Sequence, residues 1–332
     1  MAFTMHSHSG QFCPGHAKDA LEEVIQQAIA LGFKTIGLTE HMPRYSIEDL
    51  YPEELEPSPQ ASLAALAPRH EAYLVEASRL QLKYAPTLHV LIAFEGEFIR
   101  PSDAPHVLRL ANPSLYPQID YFIGSLHHVR GIPIDFDRAT YLRARTSVLS
   151  EQQPRDEGKE DDEVFFEAYY DEQYEMLRTL KPRVVGHFDL VRLLSDHEQQ
   201  APEKRAASRD VRTWKGVWER IVRNLRVVVE SGAWLECNTS ALRKGLSEPY
   251  PCRAIAEEYL SLGGKFTFSD DSHGIAQVAT NYIRGLDYLE SLGVSELWTF
   301  ERTPHPGVDG GAKATLTEKS VSIAEFRGSL KV

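Results

Sequence analysis

The feature that most constrains the fold of this chain is a repeated junction, in which a short apolar run ends in a group able to bind a cation. Ala2-Phe-Thr-Met5 runs into His6-Ser7-His8, Lys34-Thr-Ile-Gly-Leu38 into Thr39-Glu40-His41, and His89-Val-Leu-Ile-Ala-Phe94 into Glu95-Gly96-Glu97. Residues 119–126 run into His127-His128, Arg183-Val-Val-Gly186 into His187-Phe188-Asp189, and Lys265-Phe-Thr-Phe268 into Ser269-Asp270-Asp271-Ser272-His273. A seventh run, Trp234-Leu-Glu-Cys237, ends in Asn238-Thr239-Ser240. Runs of this length and character read as short strands.

Helical periodicity fills the intervals. Residues 17–31 place Leu21, Val24, Ile25, Ala28 and Ile29 at helical spacing, and Gly32 can end the element. Residues 69–84 repeat the pattern, and further helices are expected over about 164–180, 211–231, 251–262 and 275–291. Alternating strands and helices predict an α/β fold with a parallel sheet. Seven strands suit a closed or nearly closed barrel, whose functional groups stand at the C-terminal strand ends. The seven junctions would then converge on one face. At 332 residues the chain is long enough for one large domain or two small ones. The proline-rich stretch 42–67 is expected as a long loop, the charged stretch 147–163 as a solvated insertion, and 200–210 as a polar loop. A terminal strand is expected at Trp298-Thr-Phe300, and the tail after Thr303 is expected to be irregular.

His6 and His8 are two apart on a strand, so both imidazoles point to one face. With them the candidate ligands are His16, His41, Glu95, His127, His187, Asp271 and His273. Nine groups exceed what one tetrahedral zinc takes. They suit two or three divalent cations, with a carboxylate bridging a pair, and such pairs clamp the attacking and leaving oxygens in phosphoryl hydrolysis. Imidazole and carboxylate suit Zn, Mn and Fe alike. Taken singly, a strand-end histidine such as His187 reads equally as a hydrogen-bonded structural residue. Glu40, Glu97, Asp189 and Asp270 stand beside these ligands and could orient the imidazoles. Cys13 reads as a small buried residue. For phosphate oxygens the candidates are Asn238, Thr239, Ser240, Arg243 and Lys244, with Arg130 as a second cation. The bland reading of the same stretch is a polar helix cap followed by a solvated basic pair.

A net charge of −12 argues against a nucleic-acid surface as the main business of the chain. Three cysteines without regular spacing suggest no disulfide framework and a reducing compartment. No basic and apolar leader opens the sequence, and no apolar run is long enough to span a membrane. A cytoplasmic protein with no membrane or nucleic-acid partner is expected.

The motifs His6-x-His8, His16, Thr39-Glu40-His41, Phe94-Glu-Gly-Glu97, Ile123-Gly-Ser-Leu-His127, Gly186-His-Phe-Asp-Leu190 and Asp271-Ser-His273 resemble those of the polymerase-and-histidinol-phosphatase (PHP) superfamily. The run Glu236-Cys-Asn-Thr-Ser-Ala-Leu-Arg-Lys244 is similar to a segment of its histidinol-phosphate phosphatases, and the opening His6-Ser-His-Ser-Gly-Gln-Phe-Cys-Pro-Gly-His-Ala17 resembles the fungal members. The likeness runs from residue 1 to about 300. Ala241 replaces a usual glycine and Ser272 a usual alanine, and neither removes a ligand.

The resemblance implies a distorted (β/α)7 barrel of the PHP type with a trinuclear metal centre at the C-terminal strand ends. It implies His6, His8, Glu95 and Asp271 on one metal, Glu95 bridging to a second held by His127 and His187, and His16, His41 and His273 on a third. The implied substrate is L-histidinol phosphate. Arg243 would stabilise phosphoryl charge, and Asp271 or a nearby histidine such as His273 would protonate the leaving alkoxide through water. Glu236 could meet the substrate amine. A PHP phosphoesterase acting on another monoester or on DNA ends is the alternative. An amidohydrolase would usually add a mid-chain strand-end lysine, which is missing here, and a non-catalytic relative would lack ligands.

Overall fold

The computed structural model describes residues 1–151, 158–199, 210–305 and 313–331. Its strands are β1 (Ala2–Thr4), β2 (Phe33–Leu38), β3 (His89–Glu97), β4 (Tyr121–Ser125), β5 (His128–Val129), β6 (Ile132–Pro133), β7 (Val184–Val185), β8 (Trp234–Asn238), β9 (Phe266–Ser269), β10 (Glu296–Pro304) and β11 (Ala314–Ser322). Seven of them form one sheet in the order β1-β2-β3-β4-β7-β8-β9, every neighbour parallel. The sheet curls until its edges meet. Met5 N–H donates to the Phe268 carbonyl at 3.1 Å and His8 N–H to the Ser272 carbonyl at 2.8 Å. The result is the nearly closed (β/α)7 barrel expected from the sequence, distorted because β7 is only two residues long.

Pairing continues past the strand ends. Thr39 N–H donates to Ser7 O at 3.0 Å, Glu95 N–H to Glu40 O at 3.0 Å, and Thr239 N–H to Ser269 O at 3.0 Å. The residues that follow each strand therefore stay in ladder register, and their side chains converge on the rim of the barrel.

Helices α1 (Leu21–Ala30), α2 (Pro59–Tyr84), α3 (Ala104–Leu110), α4 (Arg138–Glu151) and α5 (Asp161–Leu180) pack outside, followed by Lys215–Ser231, Arg253–Ser261 and Tyr282–Ser291. In Lys215–Ser231 the buried residues Val217, Ile221, Asn224, Leu225 and Val228 form one stripe, and the helix ends at Gly232 with φ +73°. Among the described residues no helix is long and apolar enough to cross a membrane.

Three expectations need correction. The long loop stops at Ser58, whose Oγ accepts the Ala61 N–H at 3.2 Å and starts α2 before its apolar stripe begins. Pro59 opens that helix and Pro68 is accommodated within it. The charged stretch 147–163 is helical at both flanks, in α4 and α5, because its acidic residues Asp161, Asp162 and Glu163 form the first turn of α5. Residues 152–157 of that stretch, and 200–209 of the expected polar loop, lie outside the described residues.

The third correction concerns the tail. It forms β11, antiparallel to β10, and a closing helix Ile323–Ser329. Phe300 of β10 stacks on Trp234 at 4.4 Å and meets Tyr121 at 5.5 Å. Those residues begin β8 and β4, so the hairpin covers the N-terminal end of the barrel, opposite the convergent rim. Phe326 of the closing helix packs on Phe3 at 5.0 Å and Phe268 at 5.4 Å.

Candidate metal centre

The rim gathers side chains from six strand ends into three groups whose ligand atoms lie within 4.8 Å of one another: His6, His8 and Glu95; Glu95, His127 and His187; and His8, His41 and His273. Glu95 joins the first two, and His8 joins the first and third. Around the first group, Glu95 Oε2 stands 3.4 Å from His6 Nε2 and 3.5 Å from His8 Nε2, and Asp271 Oδ1 stands 3.6 Å and 3.4 Å from the same atoms. Around the second, Glu95 Oε1 is 3.3 Å from His127 Nε2 and 3.1 Å from His187 Nε2, which are 3.0 Å apart. In the third, the His8 ring lies 4.4 Å from both His41 and His273.

These spacings fit cations. Donors 2.0–2.1 Å from a tetrahedral ion stand about 3.3–3.4 Å apart. His6 Nε2, His41 Nε2 and His273 Nε2 are buried with no hydrogen-bond partner. Buried polar atoms are nearly always satisfied, so convergent lone pairs of this kind point to an ion. Asp271 has φ +49°, a left-handed backbone that strains most side chains and that Asp tolerates. Arg243 holds it there, donating from Nη1 to the Asp270 carbonyl at 2.9 Å and from Nη2 to the Asp271 carbonyl at 3.0 Å.

Charge and burial compete throughout the centre. Burial opposes protonation of His6, but Glu236, Asp271 and Glu95 outweigh it and hold its pKa well above the ordinary histidine value. Burial carries His8 down to about 3. Burial also opposes ionisation of Glu95, yet His6, His127 and His41 hold its carboxyl well below the usual range. Asp271 is likewise lowered, by His6, His8 and His273 against burial.

The other expected site residues are distributed unevenly. The His16 ring stands edge-on to His273 at 4.6 Å, but its Nδ1 turns to Glu53 at 3.2 Å and it belongs to none of the three groups. Lys244 lines the cavity. Asn238 Nδ2 and Ser240 Oγ donate to Asp271 Oδ2 at 3.5 and 3.3 Å, and Thr239 Oγ1 donates to the Thr280 carbonyl at 2.8 Å. These three are buried supports of the strand end and do not line the cavity. Arg130 lies away from the centre, its Nη1 on Glu172 at 2.6 Å and Nε on Glu151 at 2.9 Å. Asp189 accepts from Arg192 Nε at 2.6 Å and Cys252 N–H at 2.8 Å, and Asp270 accepts from the Ala279 and Ser272 N–H groups, so neither orients an imidazole.

Glu236 is fully buried and out of reach of a substrate amine. Its Oε2 meets His6 Nδ1 at 3.0 Å, and its Oε1 accepts the His187 N–H at 3.0 Å. A carboxylate behind a ligating imidazole fixes its tautomer and direction. The signal was present in the sequence, since Glu236 and Asn238 alternate onto one face of β8. Arg44 was passed over. It bridges Glu97 at 3.1 Å and Glu54 at 2.7 Å, while Glu97 Oε1 meets His41 Nδ1 at 2.8 Å.

Residues 4–240 match the PHP domain family. The chain is 40% identical over 304 residues to a probable histidinol-phosphatase of Schizosaccharomyces pombe, covering 92% of this chain and 91% of that one. It is 32% identical over 342 residues to a histidinol-phosphatase of Saccharomyces cerevisiae, covering 97% and 96%. Among solved structures, the putative histidinol phosphatase of Listeria monocytogenes superposes with a TM-score of 0.65 at 23% identity, over 85% of this chain and 99% of that one. The histidinol phosphate phosphatase of Lactococcus lactis, complexed with zinc, L-histidinol and phosphate, superposes at 0.59 with 17% identity, over 95% and 98%. At these identities the two structures speak for the fold.

Proposed function

We infer that this chain, which belongs to the PHP domain family, is a histidinol-phosphatase, hydrolysing L-histidinol phosphate to L-histidinol and inorganic phosphate in L-histidine biosynthesis. One observation carries the reading. Three ligand groups, linked through Glu95 and His8, open into a cavity of about 170 Å³ at the barrel rim, in a chain whose fungal relatives bear that name. Residues 1–332 are proposed as one PHP domain, and the substrate as a small molecule, with no nucleic-acid or membrane partner.

His6, His8, Glu95 and Asp271 would hold one divalent cation, Glu95, His127 and His187 a second, and His41 and His273, with His8 or His16, a third. Zn, Mn and Fe all suit these donors. Such ions supply Lewis acidity toward phosphoryl oxygens and make water a nucleophile near neutral pH.

The chain's own groups do the rest. Lys244 on the cavity wall pairs with a phosphoryl oxygen as a point charge. Asp271 or His273 would relay to the leaving alkoxide, through water, the proton given up by the attacking water. Arg243 acts through the backbone of Asp270 and Asp271, as a positioning residue. Glu236 keeps His6 directed at its ligand position.

The test is phosphate release from L-histidinol phosphate by purified protein, with metal content measured on the same sample, beside p-nitrophenyl phosphate and a DNA 3′-end substrate. Selective turnover of histidinol phosphate that chelation abolishes is expected. Turnover confined to the other substrates would move the function to another PHP phosphoesterase.

A further inference from the structure

A second cavity lies apart from the ligand groups and matches the rim cavity in size, about 170 Å³. Helix α5 walls it with Phe166 and Tyr170. Trp214, just ahead of helix Lys215–Ser231, completes the aromatic wall and meets Phe166 edge to face at 5.4 Å. Asp189 lines this cavity and the next residue, Leu190, lines the rim cavity, so the chain that follows β7 runs between the two.

The lining is acidic. Asp189, Glu198, Asp210 and Glu248 contribute to it, and Arg192 is the one basic lining group among the described residues. All three nitrogens of the Arg192 guanidinium are engaged: Nε donates to Asp189 Oδ2 at 2.6 Å, Nη1 to Glu198 Oε1 at 3.1 Å, and Nη2 to the Pro249 carbonyl at 2.7 Å. Arg212 and Arg253 pair with Asp210 and Glu248 from outside the lining. Asp189 keeps an unused acceptor. It is 1% exposed, its Oδ2 also takes the Cys252 N–H at 2.8 Å, and its Oδ1 has no hydrogen-bond partner. A buried carboxylate oxygen without a donor costs stability and calls for an explanation. The space is several times the roughly 30 Å³ share of one water, and an apolar cavity of about 150 Å³ already takes benzene. Apolar walls with a few polar atoms are the usual build of a small-molecule site.

We propose that this cavity binds a small organic cation, a primary ammonium carried on an apolar body of about the size of benzene. The ammonium has three N–H donors and no acceptor. One donor meets Asp189 Oδ1, and the others face the Glu198 side of the cavity. The body rests against Phe166, Tyr170 and Trp214, whose ring faces also attract a cation. An anion of the same shape meets Asp189 and Glu198 as like charges and finds the Arg192 fork already engaged. A neutral molecule of that shape keeps the apolar contacts and loses the charge-assisted hydrogen bond.

The experiment is isothermal titration calorimetry of the full, metal-loaded chain with benzylammonium, benzyl alcohol and benzoate, three probes of one shape and different charge. Wild type is compared with Ala254→Phe, which fills the cavity from helix Arg253–Ser261 and removes no charge, and with the isosteric Asp189→Asn. Wild type is expected to bind benzylammonium roughly tenfold or more tightly than benzyl alcohol, with no measurable benzoate binding. Each variant should weaken benzylammonium roughly tenfold or more. Wild type that shows no heat with benzylammonium at millimolar concentration overturns the site, and so does binding that Ala254→Phe leaves unchanged, which would put the probe elsewhere. Equal affinity for the ammonium and the alcohol overturns the choice of a cation. If Asp189→Asn does not fold, Ala254→Phe and the three probes decide.

Discussion

Glu95 divides its two oxygens between neighbours: Oε2 faces His6, His8 and His41, and Oε1 faces His127 and His187. Glu95→Gln keeps the shape and removes the charge that two groups share. Bound metal per chain should fall and turnover should drop roughly 10²–10³-fold, with the far-UV circular dichroism unchanged. Arg243 makes a different case. Its fork grips two successive carbonyls, which a lysine ammonium cannot reproduce. Arg243→Lys should lower kcat on the order of tenfold, because Asp271 loses its clamp, and leave KM for the substrate nearly unchanged. Steady-state kinetics separate this from direct phosphate binding, which would raise KM. The sequence marked Arg243 as a phosphate candidate, but whether its guanidinium reaches phosphate or backbone depends on the left-handed turn at Asp271, which no residue pattern announces.

At the scale of elements, the barrel was legible because each strand is an apolar run with a chemical terminus, two signals that coincide. The β10–β11 hairpin was half missed. Leu316 and Val321 are sparse among Thr, Glu, Lys and Ser in β11, so its alternation is faint, and its partner surface is the distant strand entrances. Helix α2 was read short because Pro59 and Pro68 resemble loop punctuation, whereas one opens the helix and the other is absorbed within it. The allocation of His8 over His16 to the third group depends on the path of the Gly10–Pro14 turn, which spacing alone leaves open. Inside the barrel, Tyr121 reaches across to the Met5 carbonyl at 2.6 Å. A Cβ on Gly37 would sit 2.0 Å from that hydroxyl and 3.0 Å from the carbonyl. Gly37→Ala should therefore destabilise by about 1–3 kcal/mol, read as a lower denaturant midpoint with an unchanged slope.

The whole molecule is polarised. The hairpin and the closing helix seal one end of the barrel with Phe300, Trp234 and Phe326, and the opposite rim holds the concentrated histidines and carboxylates. A rim built from buried lone pairs is stable only when they are satisfied, so bound ions should contribute to folding as well as to turnover. Exhaustive chelation should lower Tm by about 10 °C, reversed by added zinc, in differential scanning calorimetry. A Tm that ignores the chelator while metal analysis shows the ions gone would sink this expectation. The sharing of Glu95 and His8 among groups also bears on descent. Loss of Glu95 or His8 disturbs two groups at once, whereas loss of His127, His187, His41 or His273 disturbs one. Drift at this rim should therefore be uneven: the two shared ligands are the last to go, and a lineage that sheds one ion should still keep both.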